Sequence, residues 1–132
     1  MLTNIHKRVS NLFLHLARGS FAILLILLPF RLRIVAQARP VLGVYGDYTD
    51  FLFYAMDAAQ VLVLLFWLCS LFLDKRKISF GHISIALPLF GLLTAALFSW
   101  ISSLDTALSF YHLLRLVALF ALYLFIVNEI QT

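Results

Sequence analysis

The chain carries three long apolar runs, separated by short polar segments. Each has close to the roughly 20 residues that a helix needs to cross about 30 Å of hydrocarbon, and they extend over residues 51–73, 83–101 and 107–127. A fourth run, over 11–30, is less uniform because His15 and Arg18 precede its uninterrupted apolar core. The pattern predicts four transmembrane helices.

The N-terminal residues alternate between apolar and polar side chains at helical spacing. The apolar positions recur three and four residues apart, opposite basic and polar ones; they are Leu2, Ile5, Val9, Leu12 and Leu16. Such a pattern is typical of an amphipathic helix that lies in the membrane interface. We therefore expect a short interfacial helix that turns into the first span, with Arg18 extending toward the lipid headgroups.

A cleaved signal peptide is the alternative interpretation of this region. A basic start, an apolar core and the small residues Ala36 and Ala38 resemble a secretory signal with its cleavage site. However, Arg31 and Arg33 lie between the core and that site, which argues against cleavage. Three apolar runs remain in either case, so a membrane protein is predicted by both interpretations.

Composition excludes a water-soluble globular domain. Hydrophobic residues make up 64% of the 132 residues and charged residues 12%, against about 45–50% and about 25% in soluble domains. The single cysteine, Cys69, excludes an intrachain disulfide. No metal-ligand spacing, nucleophile motif or phosphate-binding glycine loop is present, so we predict no metal and no cofactor. The isoelectric point of about 9.6 comes from basic residues beside the apolar runs, which favours contact with membrane lipid over nucleic acid.

Lysine and arginine positions predict the orientation of the spans. Basic residues precede the first span and lie between the second and third, at Lys75, Arg76 and Lys77, whereas none lies between the third and fourth. This distribution favours both termini in the cytoplasm and the long connection 31–50 outside, although Arg31, Arg33 and Arg39 in that connection oppose it. The other connections are short, so we predict an all-α, polytopic protein with a single transmembrane domain over 1–132 and its four helices in antiparallel hairpins.

Two ionisable residues inside the predicted spans are candidates for function, because charges are costly in a membrane. Asp57 lies about 9 Å below the outer end of the second span and Arg115 about 12 Å below that of the fourth, at about 1.5 Å per residue. Their similar depth predicts an ion pair across helices. Tyr54 and Gln60 share one helix face with Asp57 and extend it as a polar stripe. The pair is either a structural ion pair or part of a ligand site.

Further polar residues near the predicted outer face extend this candidate site. His112 lies one turn before Arg115, either as an interfacial hydrogen-bonding residue or as part of the site. Arg31, Arg33 and Arg39 follow the first span. Their guanidinium groups are suited to the phosphates of a lipid-linked substrate, and in the simpler interpretation they anchor the chain to headgroups.

Three segments resemble a known family. PFRLR at 29–33, YTDFLFYAMDAAQVLVLLFWL at 48–68 and RLVALFALYLFIVN at 115–128 are similar to the N-terminal spans of bacterial O-antigen ligase and polymerase-like proteins. That family comprises polytopic membrane glycosyltransferases that transfer glycan from an undecaprenyl-pyrophosphate carrier at the periplasmic side without a metal ion. The resemblance implies a location in a bacterial inner membrane. It also implies that Arg31, Arg33, Arg39 and Arg115 line the path of such a substrate.

No catalytic residue carries over from the family. Its members are much longer, and their essential arginine and histidine residues lie in a large periplasmic loop that comes later in the chain. The resemblance therefore implies an N-terminal portion, a truncated product or a small relative of such a protein, inactive by itself.

Two other classes of membrane protein are alternatives to this family. A small accessory or scaffold protein would bind partner membrane helices through small-residue faces, such as Gly91, Ala95 and Ser99. A four-helix proton-coupled exporter fits poorly, because the first span has no carboxylate and the Lys and Arg asymmetry fixes one orientation.

Overall fold

A computed structural model of the chain describes residues 2–30, 32–37, 51–74 and 76–130. These residues form four long helices and one two-stranded sheet; the elements are α1 (Leu2–Leu27), β1 (Arg33–Gln37), β2 (Phe51–Tyr54), α2 (Ala55–Asp74), α3 (Ile83–Ile101) and α4 (Thr106–Glu129). Each helix contains a segment that is long and apolar enough to cross a membrane. The predictions of a mainly helical chain with four helices of membrane length are confirmed.

The first helix is continuous, rather than a short interfacial helix followed by a separate span. Its buried residues are mostly small: Ser10, Ala17 and Ser20 are buried together with Leu24. In the predicted apolar stripe, Val9, Leu12 and Leu16 remain exposed, with 58% of the surface of Leu12 accessible. This arrangement is typical of membrane helices, in which small residues allow close approach and lipid solvates the large apolar side chains.

The boundaries of the helices follow their local sequence. α1 ends at Leu27 rather than at the predicted residue 30, because Pro29 disfavours helical backbone at the residue before it. α3 coincides with the predicted span 83–101. α4 begins after Asp105, whose carboxylate accepts a hydrogen bond from the Leu108 N–H at 3.1 Å and so caps the helix.

The connection predicted over 31–50, together with the start of the second predicted span, contains an antiparallel sheet. β1 pairs with β2, with Arg33 opposite Tyr54, and the Ala55 N–H donates to the carbonyl of Leu32. The prediction that the second span is helical from residue 51 is wrong, since α2 begins at Ala55. The aromatic residues of β2 favour extended backbone, and the pairing satisfies those of its backbone polar groups that face β1.

The core lies where α1, α2 and α4 meet. Its fully or almost fully buried side chains are Ala17, Val63, Trp67 and Phe125. The Phe125 ring packs against Trp67 at a centroid distance of 5.9 Å and against Phe21 at 5.5 Å. α3 packs against α4 and buries none of its own residues.

The connection between α2 and α3 is fixed to the last turns of α4. The Asn128 side chain accepts from the Ser79 N–H and donates to the Ser79 carbonyl, both at 2.8 Å, and the Tyr123 hydroxyl donates to the Phe80 carbonyl at 3.0 Å. Gly81 follows with a φ of 73°. A glycine is required there because a Cβ would lie 2.9 Å from the Tyr123 hydroxyl.

Candidate functional site

The predicted ion pair between α2 and α4 is present. Arg115 Nη2 lies 3.1 Å from Asp57 Oδ1, and the two side chains are 31% and 18% exposed. The pairing hypothesis from the sequence is therefore confirmed. The partial burial of both groups strengthens their attraction relative to a pair in open water.

Asp57 has a second contact that the sequence analysis did not predict. Its Oδ2 accepts a hydrogen bond from the Tyr54 N–H at 3.0 Å. Because β2 ends at Tyr54 and α2 begins at Ala55, Asp57 is the third residue of the helix and satisfies an N-terminal backbone donor, as in a capping box. The predicted depth of Asp57, which assumed a helix from residue 51, is therefore corrected: the carboxylate belongs to the first helical turn.

Arg115 is held by aromatic side chains as well as by the carboxylate. Its guanidinium carbon lies 5.0 Å from the centroid of the Tyr54 ring and 5.6 Å from that of Tyr111. Nη1 donates to the Tyr111 hydroxyl at 3.2 Å, and this hydroxyl in turn donates to the Leu52 carbonyl. Cation–π contacts and hydrogen bonds thus fix the plane of the guanidinium group.

The ion pair forms part of the wall of a cavity of about 490 Å³, which lies within the range of about 300–1,000 Å³ typical of ligand pockets. We call it the Asp57–Arg115 cavity. Most of its wall is apolar, with Tyr111 and Gln60 as its other polar residues; the apolar members are Leu24, Leu28, Phe53, Met56, Val61, Leu114, Ala118, Leu119 and Leu122. An apolar space with a few convergent polar groups is the usual form of a small-molecule site.

The other predicted site residues are distributed unevenly around this cavity. Arg33 is exposed on β1 and lies opposite Tyr54 in the sheet register. The Tyr54 ring in turn contacts Arg115. Arg31 and Arg39 lie outside the described residues. His112 is exposed and lines a different cavity of about 300 Å³, between α3 and α4. Its ring contacts Tyr111 at a centroid distance of 5.1 Å, so the structure places it beside the site residues but outside the Asp57–Arg115 cavity.

A second polar cluster, which the sequence analysis did not predict, lies toward the other end of α2 and α4. We call it the Glu129 cluster; its members are Ser10, Arg18, Trp67, Ser70, Arg76 and Glu129. The Glu129 carboxylate is 4% exposed and accepts from Trp67 Nε1 at 3.2 Å and Arg76 Nη1 at 3.0 Å. Arg18, expected to extend toward headgroups, donates to the Glu129 carbonyl at 3.0 Å.

The sequence does contain a signal for the Glu129 cluster. Glu129 directly follows the fourth apolar run, and the basic segment with Arg76 directly follows the second. If successive spans alternate in direction, the ends of the second and fourth lie at the same face of the membrane. Opposite charges at these two ends then predict an ion pair there.

No group of three or more metal-ligating side chains occurs among the described residues. Comparisons with models of protein families, with curated proteins and with solved structures found no match.

Proposed function

We propose that the chain is a multi-pass protein of the bacterial inner membrane with antiparallel helical hairpins and cytoplasmic termini. The order of contacts supports the hairpins. Ser10 in the first half of α1 donates to the Ser70 carbonyl toward the end of α2 at 3.2 Å, whereas Leu24 near the end of α1 lines the same cavity as Met56 at the start of α2. Trp100 at the end of α3 contacts Phe110 near the start of α4. The Lys and Arg distribution supports the orientation.

Within this arrangement the Asp57–Arg115 cavity binds a lipid-linked anionic substrate at the periplasmic side. The observation that carries the proposal is a fixed guanidinium group in the wall of an otherwise apolar cavity. A prenyl chain fills the apolar part, and its phosphate lies near Arg115 and Arg33. The resemblance noted in the sequence gives the particular substrate, an undecaprenyl-pyrophosphate-linked glycan, as in the O-antigen ligase and polymerase-like family.

The contacts of Arg115 leave it able to bind a phosphate. A guanidinium group has five N–H donors, and the contacts with Asp57 and Tyr111 use one Nη2 and one Nη1 donor. Arg33, brought opposite Tyr54 by the sheet, adds a second positive charge. The chain supplies binding and orientation in this proposal, and no residue is assigned a catalytic role.

Binding of undecaprenyl phosphate to the purified chain in detergent tests the proposal. We expect the double variant Asp57→Asn with Arg115→Gln, which removes the guanidinium without leaving an unpaired carboxylate, to weaken binding about 10-fold or more. The matched control is Lys77→Gln, which removes an exposed positive charge beyond the other end of α2. Equal binding by the wild type and the double variant would overturn the proposal.

A second candidate function, an accessory subunit of a membrane complex, is favoured by α3. This helix buries no residue within the chain, and Phe98 and Ile101 are 72% and 74% exposed. Under this alternative, purification in mild detergent yields a complex of fixed stoichiometry, and Ala95→Leu on the small-residue row of α3 dissociates it. A monomeric chain that binds undecaprenyl phosphate contradicts the alternative.

A further inference from the structure

The Asp57–Arg115 cavity contains a polar side chain that the ion pair does not explain. Gln60 lines the cavity and is 9% exposed, and its Nε2 has no hydrogen-bond partner in the part of the chain that the structure describes. An unsatisfied amide donor is costly in an apolar environment, where no water replaces the missing bond. A buried polar group of this kind calls for a partner beyond the described residues, such as a bound ligand.

The charges near Gln60 determine which acceptor fits. Asp57 lies one turn earlier on the same face of α2, and Arg115, 3.1 Å away, neutralises it. The ion pair therefore presents no net charge to the Gln60 amide, and most of the remaining wall is apolar. An uncharged oxygen enters such a space without the desolvation penalty of a second anion.

We infer that the Gln60 amide donates a hydrogen bond to an uncharged oxygen at the head of a long hydrocarbon chain that occupies the cavity. Two kinds of lipid carry this chemistry: a prenol or prenyl ester, through the oxygen on its first carbon, and an acyl lipid, through its ester carbonyl. The inference rests on the proposed function in placing a lipid in the cavity. Gln60, rather than an arginine, then distinguishes a lipid whose hydrocarbon chain carries an oxygen from a plain hydrocarbon.

Competition binding on the detergent-purified full chain tests this assignment. Tritiated geranylgeraniol is the tracer, and unlabelled geranylgeraniol and phytane, a hydrocarbon with the same main-chain length, are the competitors. One hydrogen bond predicts that the wild type prefers the alcohol by about 5- to 10-fold. Gln60→Leu should reduce the preference to less than about 2-fold, and Gln60→Met, which keeps an unbranched side chain, should do the same if the leucine variant fails to fold.

Asn11→Leu is the matched control, because it removes an exposed amide of α1 that does not line the cavity. This variant should keep the wild-type preference. An alcohol preference that persists in the folded Gln60 variant, or a wild type without any preference, would overturn the inference. A short-chain diacylglycerol as a third competitor identifies which lipid supplies the uncharged oxygen. If it competes and its competition depends on Gln60, the oxygen belongs to an acyl lipid. If it does not compete, the oxygen belongs to a prenol.

Geranylgeranyl phosphate separates this inference from the proposed function. If the phosphate adds no affinity over the alcohol and the Asp57→Asn with Arg115→Gln variant binds both equally, the proposed anionic substrate is wrong. The alcohol preference and its dependence on Gln60 would stand in that case. Conversely, if the phosphate raises the affinity but the alcohol preference does not depend on Gln60, the proposed function stands and the inference is wrong.

Discussion

Trp67 donates its indole N–H to a carboxylate oxygen of Glu129 over 3.2 Å, and this bond joins the middle of α2 to the last turn of α4. The same oxygen accepts from Arg76 at 3.0 Å. A carboxylate with 4% exposure is tolerated only with such partners, because its desolvation must be offset. The Glu129 cluster therefore holds the three core helices together at the end away from the Asp57–Arg115 cavity.

Removing the charge of Glu129 should destabilise the chain more than removing its bond to Trp67. Glu129→Gln removes the buried counter-charge of Arg76, which then keeps only Asp74 at 3.2 Å, and should lower the free energy of unfolding by about 2–3 kcal/mol. Trp67→Phe keeps an aromatic ring against Phe125 and should lower it by about 1 kcal/mol. Denaturation in detergent, followed by circular dichroism, measures both, with the exposed Lys77→Gln as control. The reverse order of the two effects would contradict the role given to the carboxylate.

The Asp57–Arg115 pair should behave as a coupled unit. Asp57→Asn and Arg115→Gln should each lower the free energy of unfolding by about 1–3 kcal/mol, between the values for exposed and fully buried pairs. The double variant should be more stable than the sum of the two losses predicts, because neither charge is left unpaired. Additive losses would show that the contact at 3.1 Å contributes no coupling.

The exchange Asp57→Arg with Arg115→Asp should restore only part of the stability. An arginine at residue 57 cannot accept the hydrogen bond that the carboxylate accepts from the Tyr54 N–H at 3.0 Å, so the cap of α2 is lost. We expect the exchange variant to remain about 1 kcal/mol less stable than the wild type, as measured by the same denaturation. Full restoration would show that the cap contributes little.

Two glycines should respond in opposite ways to the same substitution. Gly81→Ala places a Cβ at a φ of 73° and 2.9 Å from both the Tyr123 hydroxyl and Val127 Cγ1, and should destabilise the chain by more than about 1 kcal/mol. Gly91→Ala lies within α3 with open space around the new Cβ and should stabilise it by about 0.5–1 kcal/mol. Midpoints of thermal unfolding that move in the same direction would contradict this distinction.

The contact between α1 and α2 should depend on small residues. Ala17 is 0% exposed, so Ala17→Leu forces the helices apart and should reduce stability by about 1–3 kcal/mol. Leu16→Ala changes a neighbouring side chain that is 42% exposed and should shift stability by less than about 1 kcal/mol. A larger loss from the leucine truncation would mean that the exposed apolar stripe, rather than the small-residue face, makes the contact.

The sequence predicted those features that depend on hydropathy over a whole helix or on an isolated charge. The four helices are of the first kind. The Asp57–Arg115 pair is of the second, since a charge in an apolar run must find a partner. The face by which α1 packs was not predicted, because apolar periodicity marks the most hydrophobic side of a helix. In α1 the described residues of that side, Val9, Leu12 and Leu16, are exposed, and the buried positions include small residues such as Ser10 and Ala17.

The pairing of β1 with β2 and the burial of Glu129 were not predicted from the sequence. The sequence of the strand Phe51–Tyr54 also fits the first turn of an apolar membrane helix, because aromatic residues occur in both strands and membrane helices. Only the partner strand distinguishes the two. The sequence does not predict the burial of Glu129, because a charge just beyond an apolar run is ordinary for a membrane helix. Only the meeting of the ends of α2 and α4 shows that this carboxylate is buried.

Photocrosslinking from inside the cavity tests the central claim that it holds the chain of a lipid-linked substrate. A benzoylphenylalanine at Leu119, which lines the cavity, is compared with one at Val117, which is exposed on the same helix but does not line it. With tritiated undecaprenyl phosphate in nanodiscs, we predict label on the Leu119 variant, displaced by excess unlabelled undecaprenyl phosphate, and little at Val117. Equal labelling of the two positions, unaffected by the competitor, would contradict the account.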